Sequence, residues 1–190
     1  MTRSQWPTFL FLALVSPLAF PTLSSGSTAT ITVLLGPKLL DDTWVTQDQA
    51  GIAVDAMWGR RNWPALLTTY VSASSGKGRN SLWTDVRESV QEAGIGLTKS
   101  WMTGSFHPRL GAGVSRIWEK THIEKSVDSE DRRFEETGMR PWVAWGGSWS
   151  VGSGFELGAA VRASELGHTN VSLGGWHVGL TIGRRWSNSN

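Results

Sequence analysis

The chain has 190 residues, with 18 Lys and Arg against 16 Asp and Glu, 22 Gly, 12 Trp and no cysteine. This length suits a single domain once a leader is removed. The near balance of charge argues against a nucleic-acid face, which needs clustered basic residues. The lack of cysteine excludes a disulfide framework, a thiolate metal site and a lipoprotein anchor.

The chain opens with a basic Arg3, an apolar stretch Thr8-Phe9-Leu10-Phe11-Leu12-Ala13-Leu14-Val15 continued by Ser16-Pro17-Leu18-Ala19-Phe20, and small residues from Ser24 to Ala29. That is the layout of a secretory signal peptide over residues 1–26, with cleavage as late as residue 29. The apolar stretch is too short and too broken by proline to cross a bilayer as a helix, which takes roughly 20 residues. The rest reads as an all-β chain of eight strands near 28–37, 50–59, 65–74, 91–101, 106–119, 138–149, 155–166 and 174–186, followed by a short polar tail, 187–190.

Side chains alternate across a strand, so a period of two separates the faces. Strand 2 sets Ile52, Val54, Ala56 and Trp58 against Gly51, Ala53, Asp55 and Gly59. Strand 4 sets Ala93, Ile95, Leu97 and Trp101 against Gly94, Gly96, Thr98 and Ser100. Strand 5 sets Pro108, Leu110, Ala112 and Val114 against Arg109, Gly111, Gly113 and Ser115. Strand 7 sets Phe155, Leu157, Ala159, Val161 and Ala163 against Glu156, Gly158, Ala160, Arg162 and Ser164. Strand 8 sets Trp176, Val178, Leu180, Ile182 and Trp186 against His177, Gly179, Thr181, Gly183 and Arg185. Strands 1, 3 and 6 alternate less cleanly, and no face can be assigned around Leu66-Leu67-Thr68-Thr69.

Tight turns follow strands 2, 4 and 6, and longer polar loops are expected at 41–49, 75–90, 120–137 and 167–173. Trp58, Trp63, Trp101, Phe106, Trp149, Phe155 and Trp186 all fall at the ends of the alternating segments, on the rim that the tight turns share. Aromatic rings favour the membrane–water interface, and a girdle of them on alternating strands marks a transmembrane β-barrel with short periplasmic turns and longer outer loops. The competing reading is a soluble, lipocalin-like barrel with its apolar face inward. Glycine on the non-apolar face and rings at strand ends favour the eight-stranded antiparallel transmembrane barrel over residues 28–186.

Two segments carry a family resemblance. Phe106-His107-Pro108-Arg109-Leu110-Gly111-Ala112-Gly113-Val114 is similar to the strand that opens the second half of many small outer-membrane barrels. Gly175-Trp176-His177-Val178-Gly179-Leu180-Thr181-Ile182-Gly183-Arg184-Arg185-Trp186 resembles their closing strand. The chain thus resembles the group of the OmpA transmembrane domain and its OmpX- and OmpW-like relatives. In that group the closing strand usually ends on an aromatic residue, whereas here Ser187-Asn188-Ser189-Asn190 follows Trp186. The resemblance implies an outer-membrane location, contact with outer-membrane lipids, and passage through the barrel-assembly machinery. It brings no catalytic motif.

The polar residues expected to face the lumen are Asp55, Glu92, Arg109, Glu156, Arg162, His177 and Arg185. Eight strands leave an interior that side chains fill, and lone buried charges are costly. The expectation is therefore an ion-paired plug, with a porin-like path for small solutes as the alternative. His107, His122, His168 and His177 lack zinc-ligand spacing, so no metal or cofactor is expected. A lipid A deacylase would need a nucleophile bonded to an oriented base, and the nearest set, Glu165, His168 and Ser172, is a weak match. The charged stretch from Lys120 to Glu136 reads first as a solvated outer loop, with a patch that binds divalent cations, lipopolysaccharide or an extracellular partner as the functional alternative. The function expected is non-enzymatic: structural, or a surface interaction through external loops.

Overall fold

The computed structural model describes residues 26–39, 48–60, 62–79, 85–101, 104–123, 132–164 and 175–187. The expected leader, the tail beyond 187, and the Glu165, His168 and Ser172 set lie outside them. Eight antiparallel strands close into one barrel: β1 (Ser27–Leu39), β2 (Asp48–Arg60), β3 (Leu66–Arg79), β4 (Asp85–Ser100), β5 (Phe106–Ile123), β6 (Arg132–Ser150), β7 (Phe155–Ala163) and β8 (Trp176–Ser187). Each strand pairs with its neighbours in sequence, and β8 returns to pair with β1, for example Val33 opposite Ile182.

The two-residue period sorts side chains between a filled interior and an exposed exterior. Thr30, Thr32, Leu34 and Lys38 of β1 are buried, and so are Glu88, Val90, Glu92 and Thr98 of β4. Leu35, Ile52, Ile95, Leu97, Leu110, Val114, Leu157, Val178 and Ile182 are exposed, and Leu180 reaches 74 %. A soluble barrel would hide these aliphatic residues, so the polarity of the two faces excludes the carrier reading. In β3 the ambiguous stretch resolves with Thr68 and Tyr70 buried and Thr69 and Val71 only partly so.

Glycine makes room inside for the large rings. Tyr70 lies over Gly94, where a Cβ would collide with its ring, and a Cβ on Gly111 would stand 3.2 Å from Cζ3 of Trp142. The β6–β7 turn needs its glycines for a different reason. Gly152 (φ 97°), Ser153 (φ 47°) and Gly154 (φ 79°) are all left-handed, a region that costs other residues. Phe155 N–H donates to Gly152 O at 2.8 Å to close it.

The strands are unequal, and here the structure corrects the expected loops. β5 has 18 residues and β6 has 19, against 9 in β7. β6 pairs with β7 only over Val143–Ser150, but with β5 along its whole length. At ~3.3 Å per residue, β7 is ~30 Å long and β6 about twice that, while the apolar band of such a barrel is ~25 Å tall. The upper parts of β3, β4, β5 and β6 therefore continue beyond the band as a four-stranded ribbon. Residues 75–79, 85–90, 120–123 and 132–137, expected in loops, belong to it. Their polar side chains hide the strand pattern, and hairpin pairing supplies the backbone bonds instead.

Candidate functional site

Two regions carry the polar chemistry: the lumen and the ribbon. The lumen is organised in tiers. Nearest the short turns, Glu156 on β7 is 2 % exposed and gathers partners from three other strands. Arg109 Nη2 pairs with it, Arg185 Nη2 lies at 2.7 Å, and His107 Nδ1 at 3.3 Å. Ser148 Oγ donates to it at 2.8 Å. Arg109 also donates to Ser148 Oγ at 3.0 Å and across the bore to Thr32 Oγ1 at 3.1 Å.

In the middle tier Arg162 on β7 reaches across to Asp55 on β2. Its guanidinium lies 3.7 Å from the Tyr70 ring centroid and 5.4 Å from that of Trp142. Those two rings meet edge to face at 5.3 Å, a favourable arrangement of quadrupoles that also attracts a cation. Trp142 Nε1 donates to Val114 O at 3.2 Å.

At the ribbon end, Glu92 accepts from Lys38 Nζ at 3.2 Å, from Tyr70 Oη, and from Ser115 Oγ at 2.7 Å. Beyond it Gln49 donates to Glu88 at 3.0 Å and accepts from Ser74 Oγ at 2.6 Å. Lys38, Arg109, Arg162 and Arg185 thus face Asp55, Glu88, Glu92 and Glu156, so charge inside the barrel balances. Buried charge is tolerated where it is paired and hydrogen-bonded. A cavity of ≈ 60 Å³ remains between Thr32, Met57, Thr98, Arg109, Trp142 and Arg162, space for roughly four water molecules.

The structure brings together Asp55 with Arg162, and Arg109 with Glu156 and Arg185; Glu92 joins a separate cluster. His177 is 3 % exposed, with Nε2 against Gly51, and lies within electrostatic reach of Lys38 and Arg162. Ser115 lies on the face expected of it, while Lys38, Gln49, Tyr70, Glu88 and Trp142 share the lumen and were not anticipated. Counting in twos from Gly94 would have found Glu88.

On the exterior, Trp58, Trp101, Trp149 and Phe155 are exposed near the short turns, while Phe106 and Trp186 are half-buried. Phe106 packs on Trp149 at 4.7 Å, and Arg184 lies 5.3 Å and 5.4 Å from the rings of Phe155 and Trp186. Trp63 differs. It is as exposed as they are, but it also stands against Gly59 and lines the mouth beside Arg60 and Leu66. A second set of rings lies towards the ribbon: Trp145 meets Trp176 edge to face at 5.6 Å, and Arg116 reaches 5.4 Å from Trp118.

Above Trp118 the ribbon becomes charged. Lys77, Arg87, His122 and Arg133 stand opposite one another on four successive strands. Side chains opposite each other share a face, so they form one transverse basic row. One step lower, Lys120 pairs with Glu135 at 2.8 Å. The described residues contain no group of three or more His, Cys, Asp or Glu placed to hold a metal ion.

No protein-family model matches the sequence, and no curated protein matches it. Solved structures do match in shape. The attachment invasion locus protein Ail of Yersinia pestis, in complex with the heparin analogue sucrose octasulfate, superposes with a TM-score of 0.56 at 14 % identity over 86 % of this chain and 100 % of Ail. Neisserial surface protein A gives 0.51 at 17 % identity, over 86 % and 97 %. The outer membrane protein OprG from Pseudomonas aeruginosa gives 0.53 at 10 %, over 87 % and 98 %. The chain has the fold of the small outer-membrane β-barrels. At these identities the likeness is one of architecture, the eight strands closed into a barrel. This small-barrel fold is that of the OmpA- and OmpX-like group, the same group that the strands Phe106–Val114 and Gly175–Trp186 resemble.

Proposed function

We propose that this chain is an integral outer-membrane protein without enzymatic activity, which holds its β3–β6 ribbon above the membrane as an interaction surface. The observation that carries the reading is the contrast within one set of strands. Below, their inward residues pair across the bore; above, β5 and β6 run on as a ribbon with a basic outer row. A bore crossed by Arg162–Asp55 and Lys38–Glu92 favours a plug over a conduit. The basic row suits anionic groups, such as lipopolysaccharide or an extracellular polyanion. That Ail was crystallised with a heparin analogue and that the Neisserial relative is named a surface protein are in keeping with this. The reading includes export with removal of a leader over residues 1–26, and folding by the barrel-assembly machinery into outer-membrane lipid.

The test is direct. Full-length protein is expressed in a Gram-negative host, and the outer membrane is isolated and run boiled and unboiled on a denaturing gel. A heat-dependent mobility shift is expected, together with cleavage of intact cells' protein by added protease only at the ribbon end of the barrel. The purified barrel should give no steady current in planar bilayers. A soluble periplasmic band would refute the membrane reading, and a reproducible conductance would restore the conduit.

A further inference from the structure

The mouth at the short-turn end holds a second cavity of ≈ 60 Å³. The β2–β3 turn, Trp63-Pro64-Ala65, forms one wall. Arg60, Lys99, Arg109, Arg185, Ser100 and Thr30 line the rest, and no carboxylate lines it among the described residues. Glu156 is already engaged by Arg109 and Arg185 and Asp55 by Arg162, so positive charge is in excess there. Two donors are left over. Ser100 Oγ and Arg109 Nε are buried without a hydrogen-bond partner among the described residues. Such groups are costly unless something accepts from them.

We propose that this mouth is a binding site for a phosphate group. Guanidinium forks and an ammonium suit its oxygens, and a concave site lined by one sign of charge focuses attraction. The unpartnered Ser100 Oγ and Arg109 Nε supply donors that a phosphate oxygen satisfies. Under the membrane reading above, on which the choice of lipid rests, the mouth lies level with inner-leaflet headgroups. The phosphate is then that of a phospholipid or a free periplasmic anion.

The experiment uses the barrel refolded in octyl glucoside, a phosphate-free detergent, after its heat-dependent gel shift has been verified. In one arm inorganic phosphate is titrated in by calorimetry. In the other, phosphatidylglycerol is added to the micelles and its retention is read by native mass spectrometry, with phosphatidylcholine beside it. Saturable phosphate binding without lipid retention assigns a free anion, and selective retention of phosphatidylglycerol assigns the headgroup. The double substitution Arg60→Ala/Lys99→Ala, at the rim and outside the ion-paired core, should weaken either about tenfold or more, the effect of losing a charge-assisted hydrogen bond. Arg116→Ala, at the opposite end, should leave it unchanged. A barrel that shifts on the gel but binds neither probe, or whose binding survives the double substitution, overturns this site and leaves the outer-membrane reading standing.

Discussion

Replacing Glu92 by Gln tests whether paired charge holds the lumen closed. Glu92 and Lys38 are 3 % and 1 % exposed and their charged atoms stand 3.2 Å apart. At an effective dielectric of about 20, attraction at that distance is ~5 kcal/mol, most of it offset by the desolvation of both ions. Removing one partner leaves the other desolvated and unpaired, which costs about 3–5 kcal/mol. Glu92→Gln keeps an oxygen that Tyr70 Oη and Ser115 Oγ can share but turns an N–H2 donor towards Lys38 Nζ. Lys38→Met alone should destabilise by a similar amount. The double substitution should come back to within about 1–2 kcal/mol of the parent, because it removes both charges together and leaves no buried ion unpaired. Urea unfolding in lipid vesicles, followed by tryptophan fluorescence and the gel shift, measures all four corners of the cycle. Single substitutions that each cost less than ~0.5 kcal/mol, or a double substitution as costly as the sum, would refute the reasoning.

Leu180 is 74 % exposed and opposite Ala159 and Leu35 at mid-strand; Leu180→Arg should cost ~2–4 kcal/mol in vesicles if it faces lipid, and a cost near zero would place it in water. Gly94→Val should push Tyr70 off its place over Gly94 and away from Glu92, costing about 1–3 kcal/mol as overpacking does, with loss of near-ultraviolet dichroism as the second readout; an unchanged spectrum and stability would contradict it. Lys120→Ala removes an exposed pair with Glu135 and should change stability by less than ~1 kcal/mol; a larger change would show the ribbon bracing the barrel.

How much of this was legible in the sequence depended on which physics wrote the pattern. Strands β2, β4, β7 and β8 alternate because their outward positions must be apolar and their inward ones small or polar, so faces and closure could be read directly. The upper ribbon escaped because water lies outside it: Lys120, His122, Arg133 and Glu135 are polar as loops are, and only pairing between strands reveals them as extended. Lys38 follows a proline at the end of an apolar run, so its burial opposite Glu92 depends on the curvature that brings β1 across from β4. Tyr70 and Trp142 read as ordinary apolar residues until the glycines beneath them are known to face the same way. Trp63 falls on the same rim as its six companions, but it also stands against Gly59 and lines the mouth.

The pairs that fill the bore join distant stretches of chain: Lys38 to Glu92, Asp55 to Arg162, Thr32 to Arg109. None of them can form while the sheet is an open, curling strip, because each needs walls that meet only when β8 reaches β1. An open strip would leave Lys38, Glu92, Asp55 and Arg162 without these partners, so that share of the penalty is lifted at the final seam. Closure is thereby its own proofreading step: a chain with one strand out of register cannot satisfy its interior, and insertion and correct assembly become a single cooperative event.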